Sequence, residues 1–157
     1  MEAGRPSVNH KPRILFFSTR DSTRSQIAEG FVRKFAGEEF VAVSTAQSPE
    51  ADPLVGDVMK EVGIDISGQQ AKQIKESFNE HFSYVVSICD ASKERFPVWP
   101  FTRNIVRWSL PDPGLVKGST QQQKEVFRRV RDEIGRNVRQ FLVQLRNQQA
   151  LVYRSPQ

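Results

Sequence analysis

Residues 14–17 form an unbroken apolar run, Ile14-Leu15-Phe16-Phe17, which stops at the polar stretch Ser18-Thr19-Arg20-Asp21-Ser22-Thr23-Arg24-Ser25. A strand buried on both faces of a parallel sheet reads as such a run, so residues 13–18 are predicted to form a central strand. Apolar positions then change period. Ile27, Phe31, Val32 and Phe35 fall at helical spacing and predict an amphipathic helix over 25–36. Phe40-Val41-Ala42-Val43-Ser44 is a second predicted strand. Pro53, favoured in a first helical turn, opens a helix whose apolar face is Leu54, Val55, Val58, Met59 and Val62, and Gly63 ends it. Residues 68–81 are polar with short helical character. Tyr84-Val85-Val86-Ser87-Ile88 predicts a third strand ending at Cys89. Residues 90–96 predict a short helix stopped by Pro97. Residues 105–110 predict a fourth strand, followed by Pro111-Asp112-Pro113. The longest helix is predicted over 119–147. Its stripe, Val126/Phe127, Val130, Ile134, Val138, Phe141/Leu142 and Leu145, repeats every three to four residues. Residues 1–12 read as a flexible lead-in, 13–147 as one domain and 148–157 as a loose tail.

Strands alternating with helices predict an α/β domain with a four-stranded parallel sheet and right-handed crossovers. Ligands of such sheets bind outside the carboxyl ends of the strands. The 18–25 loop, Cys89 and Asp112 all follow a predicted strand and so converge on that edge. A short polar loop between a strand and a helix N-terminus suits an oxyanion, because its N–H groups and the helix end face the anion and an Arg adds a two-pronged donor. The candidate anion-binding residues are Thr19, Arg20, Asp21, Ser22, Thr23, Arg24 and Ser25.

Bulk properties narrow the classes. The 157 residues are 38% hydrophobic and 26% charged, as in an ordinary globular domain. No apolar stretch approaches the ~18 residues of a membrane span, and residues 1–13 lack the apolar core of a signal peptide. A cytoplasmic protein without membrane contact is the expectation. The net charge of +5 favours anions, but Arg128, Arg129, Arg131, Arg136, Arg139 and Arg146 alternate with carboxylates on the last helix. That reads as a solvated face, so no nucleic-acid partner is expected. The single cysteine, Cys89, excludes an internal disulfide and a multi-cysteine metal centre. His10 and His81 are isolated. Neither a metal nor a cofactor is expected.

Ser18, five further residues and Arg24-Ser25, directly after the first strand, resemble the loop of the low-molecular-weight protein tyrosine phosphatases. The likeness is greater still to the thioredoxin-coupled arsenate reductases of the same flavodoxin-like, three-layer fold. Arg24-Ser25-Gln26-Ile27-Ala28-Glu29-Gly30-Phe31 is close to the family's Arg-Ser-Gln-Met-Ala-Glu-Gly. Val43-Ser44-Thr45-Ala46, Pro53 through Ser67, Ile88-Cys89-Asp90, Trp108 through Pro113 and Phe127 through Ile134 carry the likeness on to about residue 145. It implies a nucleophile at position 18 attacking phosphate or arsenate, with sulfate as an analogue. Arg24 and the loop N–H groups would hold the anion. Ser25 would donate to the nucleophile, and Asp112 would protonate the leaving oxygen. In the reductases further cysteines resolve the arsenic-bearing thiol, and thioredoxin resets the relay.

The chain departs from that pattern. Ser18 stands where the family places its cysteine, and no neighbouring base is there to activate a hydroxyl. Phe96 stands seven residues after Cys89, where a second resolving cysteine is common, so Cys89 is either a redox vestige or a small apolar residue. Asp21 replaces an Asn that braces the loop and puts a carboxylate at an anion site. Some reductases hold a potassium ion near the loop. Glu29 and Ser44 match that site, and the Lys72 ammonium would substitute for the ion. An exchange introduced at position 18 alone would leave Asp21, Phe96 and the absent thiols unexplained. Two functions remain. One is an arsenate reductase or phosphatase lineage member with impaired catalysis. The other is a non-enzymatic oxyanion sensor or binder of a phosphorylated protein. A flavin-binding flavodoxin is disfavoured by Arg24.

Overall fold

The computed structural model describes residues 11–99 and 104–154. The order of elements is β1 (Arg13–Ser18), α1 (Thr23–Ala36), β2 (Val41–Ala46), α2 (Leu54–Lys60), β3 (Lys72–Gln73), a 3-10 turn (Ile74–Ser77), β4 (Tyr84–Cys89), β5 (Ile105–Ser109), a second 3-10 turn (Pro113–Leu115) and α3 (Thr120–Arg154). The strands form one parallel sheet in the order β3-β2-β1-β4-β5. β1 lies at its centre, as its apolar run requires.

The predicted parallel α/β fold is present, with a fifth strand at the β2 edge. That strand is two exposed residues long, too short and too polar to leave an alternating signature. Setting it aside, the other four strands follow the 2-1-3-4 order of a flavodoxin-like sheet. β1 points alternate side chains to opposite faces. Ile14 and Phe16 join a large core with Ile27, Val32, Met59, Phe127, Ile134 and Leu142, which come from α1, α2 and α3. Leu15 turns the other way and packs with Phe82 and Val85, backed by Ile74 and Trp99. The second layer is therefore made of turns and irregular chain rather than of helices.

Three boundaries differ from the sequence pattern. Residues 90–96 form turns, not a helix. There Asp90 accepts hydrogen bonds through its carbonyl from Lys93 N (2.9 Å) and Glu94 N (2.8 Å), and Pro97 prevents propagation. The α1 helix begins at Thr23, so Arg24 and Ser25 belong to its first turn. The α3 helix runs to Arg154, through residues whose polarity hid it. Its predicted stripe is buried, with Phe127, Ile134, Val138, Leu142 and Leu145 almost wholly inaccessible. Each such side chain contributes roughly 2 kcal/mol of transfer free energy. The lead-in, including His10, lies outside the described residues for positions 1–10.

Candidate functional site

The carboxyl end of β1 delivers Ser18 into the sheet edge, and α1 starts five residues later. Both ends of the intervening turn are pinned. Thr19 N donates to Ile88 O at 3.1 Å, extending the β1–β4 ladder, and Ser22 N donates to Glu50 O at 2.8 Å. Ser22 Oγ also meets the carbonyls of Pro49 and Glu50, each at 2.8 Å. Asp52 N donates to Thr23 Oγ1 at 2.9 Å. The chain after β2 thus grips the start of α1.

Ser18 is fully buried. Its Oγ donates to Asp21 O at 2.8 Å and lies 3.0 Å from Ser25 Oγ, while Ser25 N donates to it at 3.3 Å. Ser25 therefore stands where the resemblance expects a donor to the first loop residue. No imidazole is at hand among the described residues. His81 lies beside Arg13, at the opposite end of β1, where its carbonyl accepts from Arg13 Nη1 at 3.3 Å.

Arg24 is 0% exposed. Nη1 donates to Leu110 O at 2.9 Å, and Nη2 donates to Thr19 O at 2.9 Å and Thr19 Oγ1 at 3.3 Å. Its Nε–H is buried with no protein partner. Leaving a buried cationic donor unsatisfied is costly, and such an orphan is the kind of group a ligand oxygen completes. Asp112 Oδ2 lies 3.2 Å from Arg20 Nε and 3.9 Å from Arg24 Nη2. Its Oδ1 accepts from Gly114 N at 2.9 Å, opening the turn between the prolines. Asp112, far from the loop in sequence, is thus brought beside Arg20 and Arg24.

Five of the loop's N–H groups are engaged within the protein. Besides those of Thr19, Ser22 and Ser25, Arg20 N donates to Gln47 Oε1 at 2.7 Å and Thr23 N to Asp21 Oδ1 at 3.1 Å. Arg20 holds a left-handed backbone (φ 67°), uncommon for a residue with a side chain. Burial pushes the Asp21 carboxyl above its ordinary range, and Asp112 adds to this, while the Thr23 hydrogen bond and Arg24 oppose it. Asp21 and Asp112 line an open groove of about 480 Å³ with Arg20, Gln47, Ser48 and Asp52.

Cys89 is buried at the end of β4, and burial, reinforced by Glu94, pushes its thiol up. Such a thiol is a poor nucleophile. Glu94 Oε1 also accepts from Thr19 Oγ1 at 2.9 Å, tying the 90–96 turns to the loop. Nothing in the sequence marks Glu94 or Gln47. Only their position after a strand of the same sheet could have drawn attention to them. The potassium-site residues resolve differently from the expectation. Glu29 Oε1 accepts from Ser44 Oγ at 2.7 Å and Glu29 Oε2 pairs with Arg33 at 2.6 Å. Lys72 pairs instead with Glu80, at 3.4 Å. The compensating cation is Arg33, one helical turn on, and with both Glu29 oxygens engaged the residues do not fit an ion.

This arrangement of loop, buried Arg and Asp coincides with a similarity across the whole domain. The family model of the low molecular weight phosphotyrosine protein phosphatases matches residues 13–151. The chain belongs to that family. Within it, the chain is 35% identical over 133 residues to an arsenate reductase of Halalkalibacterium halodurans, covering 84% of this chain and 96% of that protein. It is 34% identical over 135 residues to a glutaredoxin arsenate reductase of Synechocystis, covering 85% and 98%. A solved arsenate reductase in the phosphate binding state superposes with a TM-score of 0.71 at 30% identity, covering 85% of this chain and 98% of that one. Among the described residues, no helix of this family member is long and apolar enough to cross a membrane.

Proposed function

We propose that this member of the phosphatase and arsenate reductase family binds a tetrahedral oxyanion, phosphate or arsenate, in the 18–25 loop, with catalysis impaired or absent. The observation that carries the reading is Arg24, wholly inaccessible yet keeping an Nε–H that no protein acceptor satisfies. Phosphate, arsenate and sulfate all offer oxygens for a guanidinium fork. In the family chemistry implied by the resemblance, a thiolate at position 18 attacks the anion, Ser25 stabilises that thiolate and Asp112 protonates the leaving oxygen. Ser18 supplies a hydroxyl instead. No general base among the described residues reaches it, so it retains its proton and attacks poorly. Cys89, the sole thiol, has no second thiol in the chain with which to form a disulfide. A glutaredoxin- or thioredoxin-coupled relay therefore lacks its sulfur pair.

A turnover assay tests this. Wild-type chain leaves p-nitrophenyl phosphate at background, Ser18→Cys gains turnover, and Ser18→Cys combined with Arg24→Ala loses it. Wild-type turnover above background that Ser18→Ala abolishes would refute the impaired nucleophile. The second reading is a non-enzymatic sensor of oxyanions or of a phosphorylated protein, and it is favoured by a Ser18 hydroxyl whose partners among the described residues are only Asp21 O and the Ser25 hydroxyl and amide. On that reading Ser18→Cys stays inactive while phosphate still raises the melting temperature.

A further inference from the structure

On the helical face, away from the 18–25 loop, α1 and α3 part around a cleft of about 280 Å³. Its floor is aromatic. Phe31 and Phe35, one turn apart on α1, stack with centroids 5.6 Å apart and planes at 29°. Gly135 lets the Phe31 ring press against α3, since a Cβ there would sit 2.9 Å from Phe31 Cζ. The walls are cationic, formed by Lys34, Arg136 and Arg139. Arg139 stands over the Phe35 ring at 4.8 Å from its centroid, and Lys34 Nζ donates to Val62 O at 2.8 Å.

The charge balance separates this cleft from the rest of α3. Arg128 and Arg131 share Glu61 at the α2–α3 contact, and Arg146 takes Glu39. Each of these arginines meets a carboxylate from another part of the chain, the usual arrangement of a solvated, structural helix face. Arg136 and Arg139 meet no carboxylate among the described residues. The one carboxylate on the rim, Asp132, is held by Arg131 Nε at 2.8 Å. Three cations and one carboxylate, Asp132, which is already paired with Arg131, thus line the cleft and leave it a positive balance. Guanidinium groups bind carboxylates, sulfonates and phosphates through paired donors and also stack on flat rings. The volume lies just below the ~300–1,000 Å³ typical of drug-sized ligand sites.

We infer that the α1–α3 cleft is a second binding site, distinct from the 18–25 loop, for a small aromatic anion of one or two rings. The ring packs against the part of Phe35 that lines the cleft, beside the Arg139 guanidinium, and the acidic group is held by Arg136, Arg139 and Lys34. The site does not depend on the oxyanion reading of the loop.

The probe is naphthalene-2-sulfonate, titrated into the full-length, nitrogen-15-labelled chain with inorganic phosphate saturating the loop. Saturable shifts of the Gly135, Phe31 and Val62 amides are expected. The neutral analogue 2-naphthalenemethanol should bind at least roughly tenfold more weakly, the mark of a charge-selected ligand. Arg136→Glu combined with Arg139→Glu, at exposed positions, should weaken the sulfonate by a similar factor. Equal binding of the neutral analogue, shifts confined to 18–25, or sulfonate binding unchanged in the double variant would each overturn the assignment. The neutral-analogue comparison needs no variant, so a folding defect in the double substitution leaves it decisive. Loss of phosphate binding with these shifts retained would sink the loop reading alone.

Discussion

Asp21 holds a donor that an oxyanion would otherwise use. Its Oδ1 takes Thr23 N–H, and its ionised form places negative charge beside Asp112. Burial raises its carboxyl pKa, so protonation on acidification comes earlier than for an exposed Asp. The protonated group repels an anion less and releases Thr23 N–H. Sulfate, a dianion throughout mildly acidic and neutral conditions, should bind more tightly as pH falls toward the Asp21 pKa. In Asp21→Asn the affinity at neutral pH should rise by roughly tenfold, about 1.4 kcal/mol, and that pH dependence should flatten. Isothermal titration at a series of pH values measures both, and parallel profiles for the two proteins would remove Asp21 from the binding step. The same residue also shows what the sequence conveys. Its place in an anion loop is legible from the Ser18-to-Ser25 spacing, whereas its engagement with Thr23 depends on a loop conformation in which Arg20 turns left-handed.

At the scale of elements, α1 and α3 meet through Gly135, whose missing side chain makes room for Phe31. Glycine inside a helix ordinarily costs about 1 kcal/mol relative to alanine. Here alanine should lose more than it gains, because the helix backbone and the buried Phe31 ring would have to move apart. Gly135→Ala is expected to destabilise the fold by a net ~1–2 kcal/mol, read as a lower urea midpoint with an unchanged slope. A gain in stability would mean that the helices slide past one another easily. The α3 stripe was legible because 3.6-residue periodicity is written in the chain itself. The 90–96 segment reads as a helix because its stop signals lie only at Pro97, while in the structure the Asp90 carbonyl closes turns that periodicity does not report.

For the whole molecule, β1 and β4 lie side by side at the centre of the sheet, and their onward connections run to opposite edges. The 18–25 loop leaves the sheet at that divergence, where α/β sheets open a crevice. Long-range ion pairs fasten the far side. Two arginines of α3, Arg128 first and then Arg131, pull Glu61 down to about 2, from an ordinary 4.5. Glu39 is likewise lowered, chiefly by Arg146. Groups lowered on folding contribute stability above their unfolded pKa and lose it as pH falls through the folded one. Asp21 and Glu29, both raised by burial, act oppositely. Their contribution is fully present below their unfolded pKa and lost as pH rises through the folded one. The melting temperature should therefore hold or rise from neutral pH to about 4.5, then fall towards about 2 as Glu61 is protonated. Glu61→Gln should weaken that acid-side fall, and an unaltered acid limb would show that the α2–α3 pairs are screened to insignificance.

The sequence by itself determined the four longer strands and the three α-helices in their order, the central place of β1, the buried stripe of α3, and the loop and acidic turn that follow strands of one sheet. These follow from periodicity and from short runs whose chemistry is local. Only the tertiary structure decided which donors of the loop are engaged, that Arg33 rather than Lys72 neutralises Glu29, and that Arg136 and Arg139 are left without carboxylates. Each of those outcomes is a competition among groups from different elements for the same few ångströms, and linear spacing carries no record of who wins.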